Sequence, residues 1–70
     1  MIEVFKTDVT DIAQSRSIIN MLTKHIPGGC INFDLEDCDN ILRVQSECFS
    51  VETVILLLKN MGHYCEPLEN

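Results

Sequence analysis

Seventy residues hold one small domain, and eleven Asp and Glu against five Lys and Arg leave a net charge of −6. That field repels phosphate backbones and anionic lipid with no basic stripe to offset it, so neither nucleic acid nor a membrane surface is an expected partner. At 46% hydrophobic content the chain is built to fold, yet its longest apolar run, 54–58, falls far short of the ~20 residues of a membrane span.

The first element is predicted at residues 2–7, where Ile-Glu-Val-Phe-Lys-Thr alternates and is rich in β-formers. Ile2 and Val4 compete with Phe5 for its inward face. Asp8 or Thr10 can cap the helix that follows, and Asp11 favours its positive end. Along that helix Ile12, Ile18, Ile19, Leu22 and Ile26 recur at helical spacing, with Ser15, Arg16, Asn20 and Lys24 elsewhere. His25 complements the dipole near its end, and Pro27-Gly28-Gly29 stops it.

Residues 30–36 alternate again, Ile31, Phe33 and Leu35 facing one way and Asn32 and Asp34 the other. A polar turn, Glu36-Asp37-Cys38-Asp39-Asn40, leads into a returning strand at 41–45 with Leu42 and Val44 inward, which makes a hairpin. Ser50 caps a second helix, with Glu52 in its first turn. Val51, Val54, Ile55, Leu58 and Met61 form the apolar stripe of that helix, widened by Leu56 and Leu57, and Gly62 closes it. Residues 64–68 form a last short strand, which Pro67 confines to an edge. The β-α-β-β-α-β order predicts an α+β, ferredoxin-like domain over residues 1–70. Its four-stranded antiparallel sheet has order 4-1-3-2, with both helices on one face. Three turns then share one end of the molecule: 8–11, 36–40 and 62–63.

In this order of elements the chain resembles the heavy-metal-associated (HMA) domain of copper chaperones and metal-pump N-terminal modules. The signature of that family, G-M-x-C-x-x-C, lies at the first strand-to-helix turn. Val9 falls at the buried methionine position, Thr10 before the first cysteine, and Asp11 and Gln14 at the two cysteines. Ile18 and Leu22 keep the helix spacing, Pro27-Gly28 the closing turn and Gly62 the glycine before the last strand, while His63 stands where the family usually has an aromatic. The fold pattern matches over nearly the whole chain, but the metal-binding pair is absent. Cu(I) chemistry needs two soft thiolates on an exposed turn, which an Asp and a Gln do not supply. The resemblance therefore implies a degenerate domain that kept the fold and lost the ligands. Other ferredoxin-like modules, ACT regulatory domains among them, give the same periodicity.

Of the remaining chemistry, the shared end gathers Asp8, Asp11, Glu36, Asp37, Cys38, Asp39 and His63. Cys38 and His63 with carboxylates from Asp11, Asp37 or Asp39 are candidate ligands for Zn²⁺ or copper; the plainer reading is a solvated turn rich in turn-forming residues. The four cysteines, Cys30, Cys38, Cys48 and Cys65, include no C-x-x-C pair and read as reduced, mostly buried thiols, with Cys38 the exposed one. Cys30 and Cys48 fall at the opposite end, where a regulatory disulfide is the alternative. No phosphate-cradling loop or nucleophilic triad is present, so an enzyme is not expected. The open face of the sheet, carrying Lys6, Cys30, Asn32, Asp34, Arg43 and Gln45 with Val4 or Phe5, is the candidate interaction surface.

With no basic, apolar leader ahead of the first strand, the expectation is a cytoplasmic, non-catalytic interaction or regulatory module without a cofactor. It would bind an unidentified protein or a second copy of itself. The alternative is a metal-binding or metal-sensing protein, and a weaker third reading is a small-ligand domain of the ACT type.

Overall fold

The competition for the inward face of the first strand goes to Phe5, which is fully buried while Ile2 stays 57% exposed. In the computed structural model, which describes residues 1–36 and 38–68, six elements follow one another: β1 (Ile2–Thr7), α1 (Ile12–His25), β2 (Cys30–Asp34), β3 (Ile41–Gln45), α2 (Val51–Asn60) and β4 (Cys65–Pro67). The strands form one antiparallel sheet in the order β2-β3-β1-β4, the predicted ferredoxin-like arrangement. Its edges differ. β2 has five residues and ends two short of the predicted 30–36, whereas β4 has three residues and ends at Pro67, shorter at both ends than predicted.

Register fixes which side chains share a face, because directly opposed residues of an antiparallel pair point the same way. Phe5 opposes Leu42, which opposes Phe33; Val44 opposes Ile31, and Thr7 opposes Cys65. These residues meet the helices. The core consists of Phe5, Val9, Leu42 and Val44 from the sheet side with Ile18, Leu22, Ile26, Val54 and Leu58 from the helices. Both helices thus cover one face, and the molecule measures 27 × 27 × 18 Å.

The buried stripe of α1 is Ser15-Ile18-Leu22, not the stripe expected from the apolar residues alone. Ile12, predicted inward, is 63% exposed, and Ser15, predicted outward, is 6% exposed. Burying that hydroxyl costs little because its Oγ donates to the Ile12 carbonyl at 2.7 Å, an acceptor in the same helical turn. The cap also differs from expectation. Asp11, rather than Asp8 or Thr10, is the N-cap, its Oδ1 accepting from the Ala13 N–H at 2.8 Å. Asp8 is thereby left free for another role. His25 does lie in the last turn of α1, with Nδ1 3.0 Å from the Met21 carbonyl.

Ser50 caps α2 as predicted, accepting from Thr53 N, with Glu52 in the first turn. Val54 and Leu58 are fully buried, but Leu56, placed in the widened stripe, is 55% exposed. Beyond the C-cap residue Met61 the chain closes as a Schellman motif: Gly62 N donates to Lys59 O and His63 N to Leu58 O, both at 2.9 Å. Gly62 has φ +85°, a conformation that costs glycine nothing and other residues about 1 kcal/mol or more. The motif turns the chain sharply enough to bring His63 back against the loop after β1.

Candidate functional site

Two regions carry the polar groups singled out by the sequence. The first is the end of the molecule where the loops after β1, β2 and α2 meet. Thr7, the last residue of β1, is 4% exposed and joins two of these loops. Its Oγ1 donates to the Asn40 carbonyl at 2.6 Å and accepts from Val9 N at 3.2 Å, while Thr7 N donates to the Asp39 carbonyl. Asn40 takes φ +48°, a left-handed conformation that its short amide side chain tolerates. Asp8 ties in the third loop. Its Oδ1 accepts from Tyr64 N at 3.0 Å and lies 3.1 Å from His63 Nδ1. Val9, two residues after Thr7, is fully buried.

The predicted residues of this end therefore divide. Asp8 and His63 meet. Asp11 and Gln14 are exposed in the first turn of α1, where the Asp11 carboxylate is engaged in capping. Asp39 sits 3.6 Å from Lys6 Nζ, Cys38 is exposed, and Glu36 N donates to the Asp34 carboxylate. Asp37 lies outside the described residues. Among the described residues no three His, Cys, Asp or Glu side chains stand close enough together to hold a metal ion. The Asp8 link was not visible in the sequence as a contact; the signals for it were an acidic residue directly after β1 and a glycine-closed helix directly before β4.

The thiols correct the sequence reading. Cys30, Cys38 and Cys48 are all exposed, not Cys38 alone, and all four cysteines are free. Cys65 is the exception. It opposes Thr7 on the helix-facing side and packs against the core, where burial pushes its thiol up to about 12 from an ordinary 9.0. The neighbouring Tyr64 phenol is also raised, because its hydroxyl donates to the Glu66 carboxylate. A thiol that keeps its proton longer when folded stabilises the fold fully below pH 9.0, and this contribution is lost as pH rises toward 12. The guanidinium midpoint of the wild type should therefore fall relative to that of Cys65→Ala between pH 9 and pH 11; parallel curves would contradict the burial of Cys65. In Ellman's assay at pH 8, three thiols of the native protein should react at once and half-buried Cys65 more slowly, reaching their rate on unfolding.

The second region is the helix-free face of the sheet. Across it, Ile2 lines up with Gln45 and Cys30, Val4 with Arg43 and Asn32, and Lys6 with Ile41 and Asp34. The five polar residues predicted there, Lys6, Asn32, Asp34, Arg43 and Gln45, all lie on this face and are all exposed. Glu66 joins them opposite Lys6, and Leu68, whose N–H donates to the Val4 carbonyl at 2.8 Å, extends the ladder beyond β4. Ile2, Val4 and Leu68 thus form an apolar strip beside a field of alternating charge. Ile41 is buried at 7% exposure yet stands outside the main core cluster, as its place between Lys6 and Asp34 on this second face requires.

Compared with models of known protein families and with curated proteins, the chain matches none. No helix among the described residues is long and apolar enough to cross a membrane.

Proposed function

We propose that this chain is a non-catalytic interaction or regulatory module of HMA-like fold, cytoplasmic, that has lost the family's thiolate pair and binds a protein partner through the open face of its sheet. The observation that carries the reading is the composition of that face. Exposed Ile2 with half-buried Val4 and Leu68 offers apolar contact, while Lys6, Arg43, Asp34 and Glu66 around them supply charges of both signs. Interfaces combine an apolar centre with a polar rim in this way. The engagement of Asp11 as a helix cap accords with a first turn serving the fold instead of a metal.

A photo-crosslinking amino acid at Gln45 tests the reading in the native host. It should yield a discrete adduct that Arg43→Glu removes, while the same group at Asn20, on the solvent side of α1, yields none. Equal adducts from both positions, or none at Gln45, would reject the sheet face. Titration of the reduced protein with Zn²⁺ and then Cu(I), followed by NMR, addresses the metal alternative. Saturable shifts confined to the loops bearing Asp8, Asp11, Cys38 and His63 at micromolar metal would replace the interaction reading by a metal-binding one.

A further inference from the structure

The opposite side of the molecule carries a second surface that the sheet-face reading does not use. Along the solvent side of α2, Glu52, Ile55, Leu56 and Lys59 line a shallow groove of about 350 Å³. Leu56 is 55% exposed there, although a leucine on a ten-residue helix already burying Val54 and Leu58 adds nothing to the core by standing outward. The four residues follow the spacing i, i+3, i+4, i+7, which keeps them on one face across two turns, about 10 Å of helix.

The order of the charges is what selects an occupant. Glu52 opens the stripe and Lys59 closes it, with the two apolar residues at its centre, and among the described residues neither charge is ion-paired. The midpoint between positions 52 and 59 falls between Ile55 and Leu56. If a second α2 is laid across the groove antiparallel, about a two-fold axis through that midpoint, Glu52 meets Lys59 of the other copy and Lys59 meets Glu52. Ile55 and Leu56 then pack on Leu56 and Ile55. The stripe is its own complement, which is the requirement of an isologous dimer. A parallel arrangement would instead oppose like charges at both ends.

We infer that this face of α2 joins two copies of the chain into an antiparallel, two-fold dimer. The contact is one short helix per subunit, well below the ~800 Å² per partner of a standard stable interface, so the dimer is a weak one that forms at high micromolar concentration. The net charge of −6 on each copy opposes association, and salt that screens this repulsion should strengthen the dimer up to the point where it weakens the Glu52–Lys59 pairs.

Sedimentation equilibrium from 10 µM to 1 mM tests the dimer. The wild type should rise from its monomer mass of 8.0 kDa toward twice that value. Glu52→Lys and Lys59→Glu should each weaken association at least about tenfold by placing like charges together at both ends of the interface. The double exchange Glu52→Lys/Lys59→Glu should restore it to within a few-fold of wild type, and Leu56→Asp should abolish it. All four variants alter exposed positions, and far-UV circular dichroism checks that each keeps the fold. A wild type that stays monomeric to 1 mM would overturn the inference. So would a double exchange as weak as the single ones, or a dimer that survives Leu56→Asp and is lost with Val4→Asp, which would transfer it to the sheet face.

Discussion

Replacing Phe5 with alanine should leave this chain without a cooperative thermal transition. Phe5 is fully buried at the middle of β1, the strand that pairs with both β3 and β4, and it lies opposite Leu42 beneath the two helices. Removing a buried phenyl ring costs about 3–5 kcal/mol through lost transfer energy and the cavity left behind. A 70-residue domain buries only about 60% of its unfolded surface and sits at the low end of the ~5–15 kcal/mol typical of native proteins. The loss therefore consumes most of the stability. Phe5→Leu, which refills much of the space, should cost less than about 1.5 kcal/mol and melt cooperatively. Circular dichroism melts of the two variants decide the matter: a Phe5→Ala protein melting within about 5 °C of wild type would show that the core is not centred there.

Thr7→Val should be the most damaging polar substitution, at about 2–3 kcal/mol. The change conserves volume and β-branching, so the hydroxyl alone is removed. Two buried or half-buried backbone groups then lose their partner at once, the Asn40 carbonyl and the Val9 N–H. Leaving a buried donor or acceptor unsatisfied costs about 1–3 kcal/mol each, partly recovered where water can reach. Asn40 is the more accessible of the two. The loop around it should loosen first, which amide exchange would report as a loss of protection at Thr7, Val9 and Ile41 ahead of β2. Unchanged exchange in Thr7→Val would mean that the loops are held together by other contacts.

Much of this architecture could be read in advance because its determinants are local. Alternation placed β1, β2 and β3, and glycine and proline ended both helices where the spacing required it. The errors share a physical cause. Ile12 and Ser15 exchanged their expected places because helix phase is set by the whole packed face, and a serine that satisfies its hydroxyl within its own turn can be buried like an alanine. Asp8 and Thr10 are the candidate caps on composition, with Asp11 a favourable carboxylate at the positive end of the helix. The cap is Asp11, while Asp8 accepts from Tyr64 N across 56 positions, a tertiary contact no local pattern contains. The cysteines depart from expectation for a similar reason: a typical thiol is buried, but Cys48 joins Cys38 at the surface, and Cys30 is exposed as the outward register of an edge strand requires. At the site, the polar residues of the open face were legible from period-two alternation alone, whereas the self-complementary stripe on α2 emerges only once Leu56 is seen to point away from the core.

Because both helices lie on one side of the sheet, a pair of chains meeting through α2 holds its two sheets on opposite outer surfaces. Each pair would then be bivalent. A partner that is itself repeated, or anchored in an array, would be gripped at two points, and the second engagement would proceed at a local concentration often in the millimolar range. Weak pairing and weak capture would reinforce each other, so that assembly responds steeply to the abundance of the chain while each contact alone stays readily reversible.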